Sequence, residues 1–152
     1  MTVSQRLGEL GISLPEVAKP LAAYVPATVV GNQVWTSGQL PVVAGTPIHT
    51  GKLGGDVSLE QGVECARTCL LNALAAIAQA AGGVDRITRI LKVVVFVASV
   101  PEFTDQPKVG NGASELVGEI FGEAGSHVRS AVGVSVLPLD TPVEIEVIAE
   151  IG

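Results

Sequence analysis

A chain of 152 residues is long enough for one domain that buries about two-thirds of its unfolded surface, so no second domain is needed. Hydrophobic residues make up 47% of it and charged residues only 16%, against a usual share of about 25%; so little charge predicts an oligomer that buries apolar faces. Nine basic and fifteen acidic side chains give a net charge of −6, and with three Phe, one Trp and one Tyr the chain offers neither a phosphate-binding patch nor a base-stacking surface, which argues against nucleic acid as a main partner.

In chain order, MTVSQRLGELG lacks the basic-then-apolar pattern of a signal peptide, and no stretch reaches the roughly 18 uninterrupted apolar residues of a membrane span. The expected location is the cytoplasm, with no membrane partner. Ser4 is placed to cap a short helix through Leu10 that stops at Gly11, and residues 15–20, bracketed by prolines, read as an extended arm. YVPATVVGNQVWTSGQLP then predicts strands over 26–30 and 33–38, with Gly31 and Asn32 as the two positive-φ residues of the hairpin turn. The segment 42–57 holds five glycines or prolines and reads as a long loop with room for a brief strand.

Ser58 and Gln61 form a capping box, and apolar residues recur at helical spacing until Gly82-Gly83, which predicts a helix over 59–81. Cys65 and Cys69 fall at i and i+4 of that helix; two further ligands could complete a metal site, but no CxxC or nearby His supports one, and the pair reads as reduced, packed thiols. ITRILKVVVFVASV, 87–100, has the β-branched, nearly uncharged composition of a central strand buried on both faces. A second helix is predicted over 108–121, packing Leu116, Val117, Ile120 and Phe121 with Glu115 and Glu119 outward. HVRSAVGVSVLPLDTPVEIE, 127–146, opens the last two strands. The order ββ, loop, α, β, α, ββ alternates too little for a doubly wound parallel sheet and predicts an α+β fold, a mixed sheet with both helices on one face.

The chemistry of the last segment lies in its charges. Strand alternation puts His127, Arg129 and Ala131 on one face, and Glu144, Glu146 and Glu150 on one face of the final strand. Arg129 is the only Lys or Arg after Lys108. In a hairpin centred near residue 139, Arg129 would oppose a residue near 150 rather than Glu144. Either the two strands are not neighbours in that register, or the charges converge from elsewhere, such as across a subunit boundary. The plainer alternative is a solvated face or an ordinary ion pair. His127 reads as a strand-surface residue and His49 as a loop residue. There is no GxGxxG after a strand, no P-loop, no nucleophile elbow and no metal-ligand cluster.

TSGQLP at 36–41, KVVVFVAS at 92–99, and the R-S-x-V-x-V-x-x-LP…VEIE run at 129–146 resemble, in that order, the RidA/YjgF family of reactive-intermediate deaminases. The resemblance covers roughly residues 20–151 of a single domain and leaves 1–20 as an addition of a longer branch. It implies a chorismate-mutase-like fold and a homotrimer with clefts between subunits. It also implies hydrolysis of small enamines and imines, such as 2-aminoacrylate and 2-iminopropanoate, to 2-keto acids and ammonia, without metal or organic cofactor.

By that resemblance Arg129 would bind the substrate carboxylate with its planar fork, and Glu144 would orient and activate the attacking water. Tyr24, Ser37 and Asn111 match cleft-lining positions. Each has a plainer reading, Tyr24 as a partly buried aromatic, Ser37 as a cap of the turn before Gly38, Asn111 as a helix cap. Ala131 stands in the cleft where many deaminase-type members carry cysteine, and Ser114 with GASELVGEIFG replaces their tyrosine and paired phenylalanines, which reshapes the rim. A non-catalytic trimer binding a 2-keto acid in the same cleft is the alternative. The ribonuclease activity sometimes attached to the family is disfavoured by the acidic balance.

Overall fold

In the computed structural model, which describes residues 1–20 and 22–152, the long helix α2 runs over Leu59–Ala81. Ser58 accepts from the Gln61 N–H, the Gln61 side chain returns the bond, and Gly82 at φ 89° ends the helix, as the sequence predicts. A left-handed residue there is the ordinary glycine stop. The helix α3 spans Gln106–Phe121, and its Glu115 and Glu119 are exposed. Gly112 of α3 lies where a Cβ would overlap the Val63 carbonyl of α2, so the two helices approach backbone to backbone.

The short helix α1 covers Val3–Glu9, capped by Thr2 in a box with Gln5 rather than by Ser4. Ser4 instead donates its N–H and hydroxyl to Asp85, each at 2.7 Å. Both residues are cap formers; Thr2 has a Gln three positions on, which Ser4 lacks.

The strands are β1 (Ala27–Val30), β2 (Gln33–Thr36), β3 (Val42–Val43), β4 (Thr46–Pro47), β5 (Ile87–Ala98), β6 (Val128–Val134) and β7 (Val143–Ile151). Five of them form one mixed sheet in the order β1-β2-β7-β5-β6, with β5 and β6 parallel and the other pairs antiparallel. The β1–β2 turn is Gly31-Asn32, yet only Gly31 has positive φ, at 59°. One left-handed residue at the first turn position suffices for a type II′ turn, so Asn32 is not needed there. The predicted loop after β2 holds the small β3–β4 hairpin.

The helices cover one face of the sheet. Val34, Val93, Val95, Val97, Val143, Ile145, Val147 and Ala149 point into the core they share with Leu70, Leu74, Ile77, Val109 and Leu116. Among the described residues the other face carries no helix. Trp35, Lys92, Val94, Phe96, Val128, Val132 and Ile148 lie there exposed or half-buried. Full burial of β5 on both faces is therefore not found in the chain; its alternate residues are core, and Lys92, Val94 and Phe96 between them are half-buried.

The 127–146 segment is not a hairpin. β6 pairs with β5 through Val93↔Arg129, and β7 pairs with the opposite edge of β5 through Phe96↔Glu144. Thus β5 stands between the two strands, and β7, last in the chain, is the middle strand of the sheet. Among the described residues no helix is long and apolar enough to cross a membrane.

Candidate functional site

Arg129 pairs with the buried Val93, so alternation turns it to the helix-covered face at the open edge of β6. There its guanidinium lies along α3. Nη1 donates to Asn111 Oδ1 at 2.9 Å and to Ser114 Oγ at 3.1 Å, and Nη2 donates to the Pro107 carbonyl at 3.3 Å. Asn111 and Ser114 are three apart and share a helix face. Gly110 makes room, since a Cβ there would sit 3.2 Å from Nη1. A guanidinium has five N–H donors. Among the described residues two have no protein acceptor, the Nε–H and one Nη2–H, a pair that can meet a carboxylate side-on.

Asn111 is thus an acceptor in the body of α3 and not a cap. His127, expected on a strand surface, precedes β6 and is hydrogen-bonded at both nitrogens. Nδ1 lies 2.6 Å from the Gly125 carbonyl and Nε2 2.9 Å from Ser114 Oγ. Ala131 pairs with Val95 on the same face as Arg129, half-buried against the core.

Glu144 projects from the opposite face of β7. Its carboxylate packs on Gly38, where any Cβ would overlap it. Burial, and then repulsion from Glu146, raise its pKa above the ordinary carboxylate value. Both causes disfavour the charged form, so this group holds a proton more tightly than a solvated glutamate. Glu146, expected from sequence to serve structure or solvent, is the residue that adds the repulsion.

Beside Gly38 opens a cavity of about 700 Å³ lined by Tyr24, Ser37, Gln39, Asn72, Leu139 and the arm from Pro15 to Pro20. Tyr24 is 46% exposed. Ser37 turns inward, its hydroxyl donating to the Pro26 carbonyl at 3.2 Å and accepting from Gln39 at 3.4 Å. Buried Asn72 of α2 donates to the Leu40 and Val42 carbonyls at 2.9 and 3.0 Å and so holds the β2–β3 connection over this cavity. No sequence motif marks Asn72, because its role is to replace absent main-chain partners.

The expected site residues therefore form two groups at opposite sides of the sheet, Arg129, Asn111 and Ala131 with β6 and α3, and Tyr24, Ser37 and Glu144 around β2 and β7. Within one chain Arg129 and Glu144 do not meet. Cys65 and Cys69 are buried free thiols, and burial pushes Cys65 up to about 12 and Cys69 well above its ordinary value. His49 is a loop residue, as expected, and pairs with Glu64 of α2 at 2.9 Å. Among the described residues no group of three or more His, Cys, Asp or Glu is placed to hold a metal ion.

A family model described as "YjgF/chorismate_mutase-like, putative endoribonuclease" matches residues 4–151. The chain belongs to the YjgF family. Protein TCP17 of Trypanosoma cruzi is 41% identical over 151 residues, covering 99% of this chain and 94% of that one. The crystal structure of the Agrobacterium tumefaciens protein Atu1372 matches with a TM-score of 0.90 at 44% identity, over 99% of this chain and 92% of that one. A protein of Dermatophagoides farinae named 2-iminobutanoate/2-iminopropanoate deaminase is 30% identical over 141 residues, 92% of this chain and 94% of that one. The family names thus include a deaminase role, and the α+β fold with helices on one sheet face is the YjgF fold.

Proposed function

We propose that this chain is the subunit of a homotrimer that hydrolyses small carboxylate-bearing imines and enamines, such as 2-iminopropanoate, to 2-keto acids and ammonia. The observation that carries the reading is the guanidinium of Arg129, held by three hydrogen bonds with two donors left over. A planar cation prepared in this way fits one carboxylate. The helix-free face of the sheet, where Trp35, Val128 and Val132 are exposed, and the low charge content supply the reason for assembly. The position of Arg129 and Glu144 on opposite sheet faces supports a site built from two copies, Arg129 from one and Glu144 with Tyr24 and Ser37 from the next.

In this site Arg129 binds the substrate carboxylate and fixes the imine carbon. Glu144, as carboxylate, accepts a proton from a water molecule as its oxygen attacks the protonated imine carbon. The C–N bond of the resulting carbinolamine breaks, the nitrogen leaves as ammonia after taking a proton, and the carbonyl of the keto acid forms. One imine and one water give one keto acid and one ammonia. Holding the two reactants in line is most of the work, because a protonated imine is already electrophilic.

The test generates 2-aminoacrylate in situ with a dehydratase and follows keto-acid release with and without the protein. Acceleration by the wild type, lost in Arg129→Ala, is the expected result. No acceleration across several imines, or full activity in Arg129→Ala, overturns the reading. Binding of a 2-keto acid without turnover would identify the non-catalytic carboxylate-binding trimer instead. RNA cleavage is not expected of a chain with net charge −6, since phosphate contacts supply most non-specific affinity.

A further inference from the structure

The proposed function uses Arg129 but leaves Ser114 and His127 without a task, although the three are joined. Gly125 supplies a carbonyl at 2.6 Å from His127 Nδ1; Nε2 is 2.9 Å from Ser114 Oγ; and Ser114 Oγ is 3.1 Å from Arg129 Nη1. The two ends fix the direction of the outer bonds. A carbonyl only accepts, so Nδ1 carries a proton. A guanidinium only donates, so Ser114 Oγ accepts from Arg129 and has its own hydrogen free for Nε2. With a neutral imidazole, one arrangement fills the chain without conflict, the Nδ1–H tautomer with Ser114 donating to Nε2 and receiving from Arg129.

We propose that Ser114 and His127 are positioning residues that lock the rotation of the Arg129 guanidinium and thereby aim its two free donors at the substrate carboxylate. Asn111 and the Pro107 carbonyl hold one edge of the plane, which leaves it free to rock about that edge. The Ser114 hydroxyl adds the third point. A serine hydroxyl alone can rotate, and His127, itself anchored to Gly125, prevents it. The position of His127 two residues before Arg129 on the same alternation face places anchor and cation together, and the spacing of three between Asn111 and Ser114 brings both acceptors to one side of α3. This inference deepens the imine-hydrolase reading and rests on it for substrate, while the geometry of the lock is independent of turnover.

The experiment therefore has two arms on the full-length protein. In the first, ¹⁵N NMR of the arginine side chains, with the Arg129 signal identified by its loss in Arg129→Lys, reads guanidinium rotation. Separate, slowly exchanging Nη–H signals are expected in wild type and in Ser114→Thr, and collapsed ones in Ser114→Ala and His127→Ala. In the second, kinetics with a carboxylate-bearing imine should give a KM raised roughly ten-fold in Ser114→Ala, the scale of one hydrogen bond to a charged group, with kcat changed much less. Ser114→Thr should restore KM.

If the wild type turns over no imine, pyruvate affinity in the same variants replaces KM, so failure of the proposed function does not remove the test. Unchanged Arg129 signals in both alanine variants would overturn the lock. So would a fall in kcat at constant KM, which would place Ser114 and His127 in the chemistry. Should Ser114→Ala fail to fold, His127→Ala, whose residue touches Arg129 only through Ser114, decides alone.

Discussion

At the β6 edge the cation of Arg129 has three protein acceptors, while across the sheet the carboxylate of Glu144 has, among the described residues, no hydrogen-bond donor and a second carboxylate for a neighbour. The contrast follows from what each group must do in the proposed site. A binding group gains from being held still, because each fixed contact lowers the entropy lost on binding. A base gains from being left unsatisfied, because donors would stabilise its charge and lower its affinity for the proton it has to take. In the proposed site one side is thus finished by the chain's own residues, and the other is completed by a second copy.

The largest way to break this contrast is to remove either group. Glu144→Gln should lower kcat by roughly 10²–10⁴-fold, the usual share of general acid–base catalysis, and leave keto-acid binding measurable by calorimetry. Arg129→Ala should abolish that binding. Mixing the two inactive chains by co-refolding should recover activity at roughly one site in four, since the intact cation and the intact base then meet between unlike copies of a symmetric oligomer. No recovery would mean that one chain supplies the whole site. Gly38→Ala pushes a methyl group into the Glu144 carboxylate, and a displacement approaching an ångström should cost roughly 10²-fold in kcat/KM.

A smaller effect sharpens the electrostatic half. In the proposed mechanism Glu144 acts as the carboxylate, and its pKa is raised by burial and Glu146, so activity should be lost as pH falls through a pKa higher than that of a solvated glutamate. Glu146→Gln removes the second cause of that rise, so the acid limb of the kcat/KM profile should move to lower pH; a limb that stays or moves up would remove Glu146 from the site. Smallest of all is Ala131→Cys. The position is half-buried beside Val95 and makes no side-chain hydrogen bond, so turnover should change by no more than roughly threefold, the scale of a neutral substitution.

How much of this was legible depends on range. The helix over 59–81 was read correctly at both ends because its start and stop are local chemistry, Ser58 with Gln61 and a glycine at 82. Alternation correctly separated the residues of β6 and β7 into faces, and of the two options the hairpin register left open, the strands are found not to be neighbours. What alternation could not say was which face met the helices, or that β5 would stand between two strands adjacent in sequence. Pairing is decided by surfaces that are far apart in the chain. The same limit hid the Ser114–His127 contact. Its signals, HxR and N-x-x-S, are each local, but their meeting depends on where α3 lies over β6.

The place of β7 in the sheet has a bearing on how the protein is made. The first strand pair can form as soon as it leaves the ribosome, but the gap between β2 and β5 can be filled only by residues 143–151. Until then the β5 and β2 edges stand open, with long loops to be closed before their contacts are rewarded. Nascent chains stalled before residue 143 would therefore be the aggregation-prone species, and a chaperone that shields strand edges would serve this protein late in synthesis and not early.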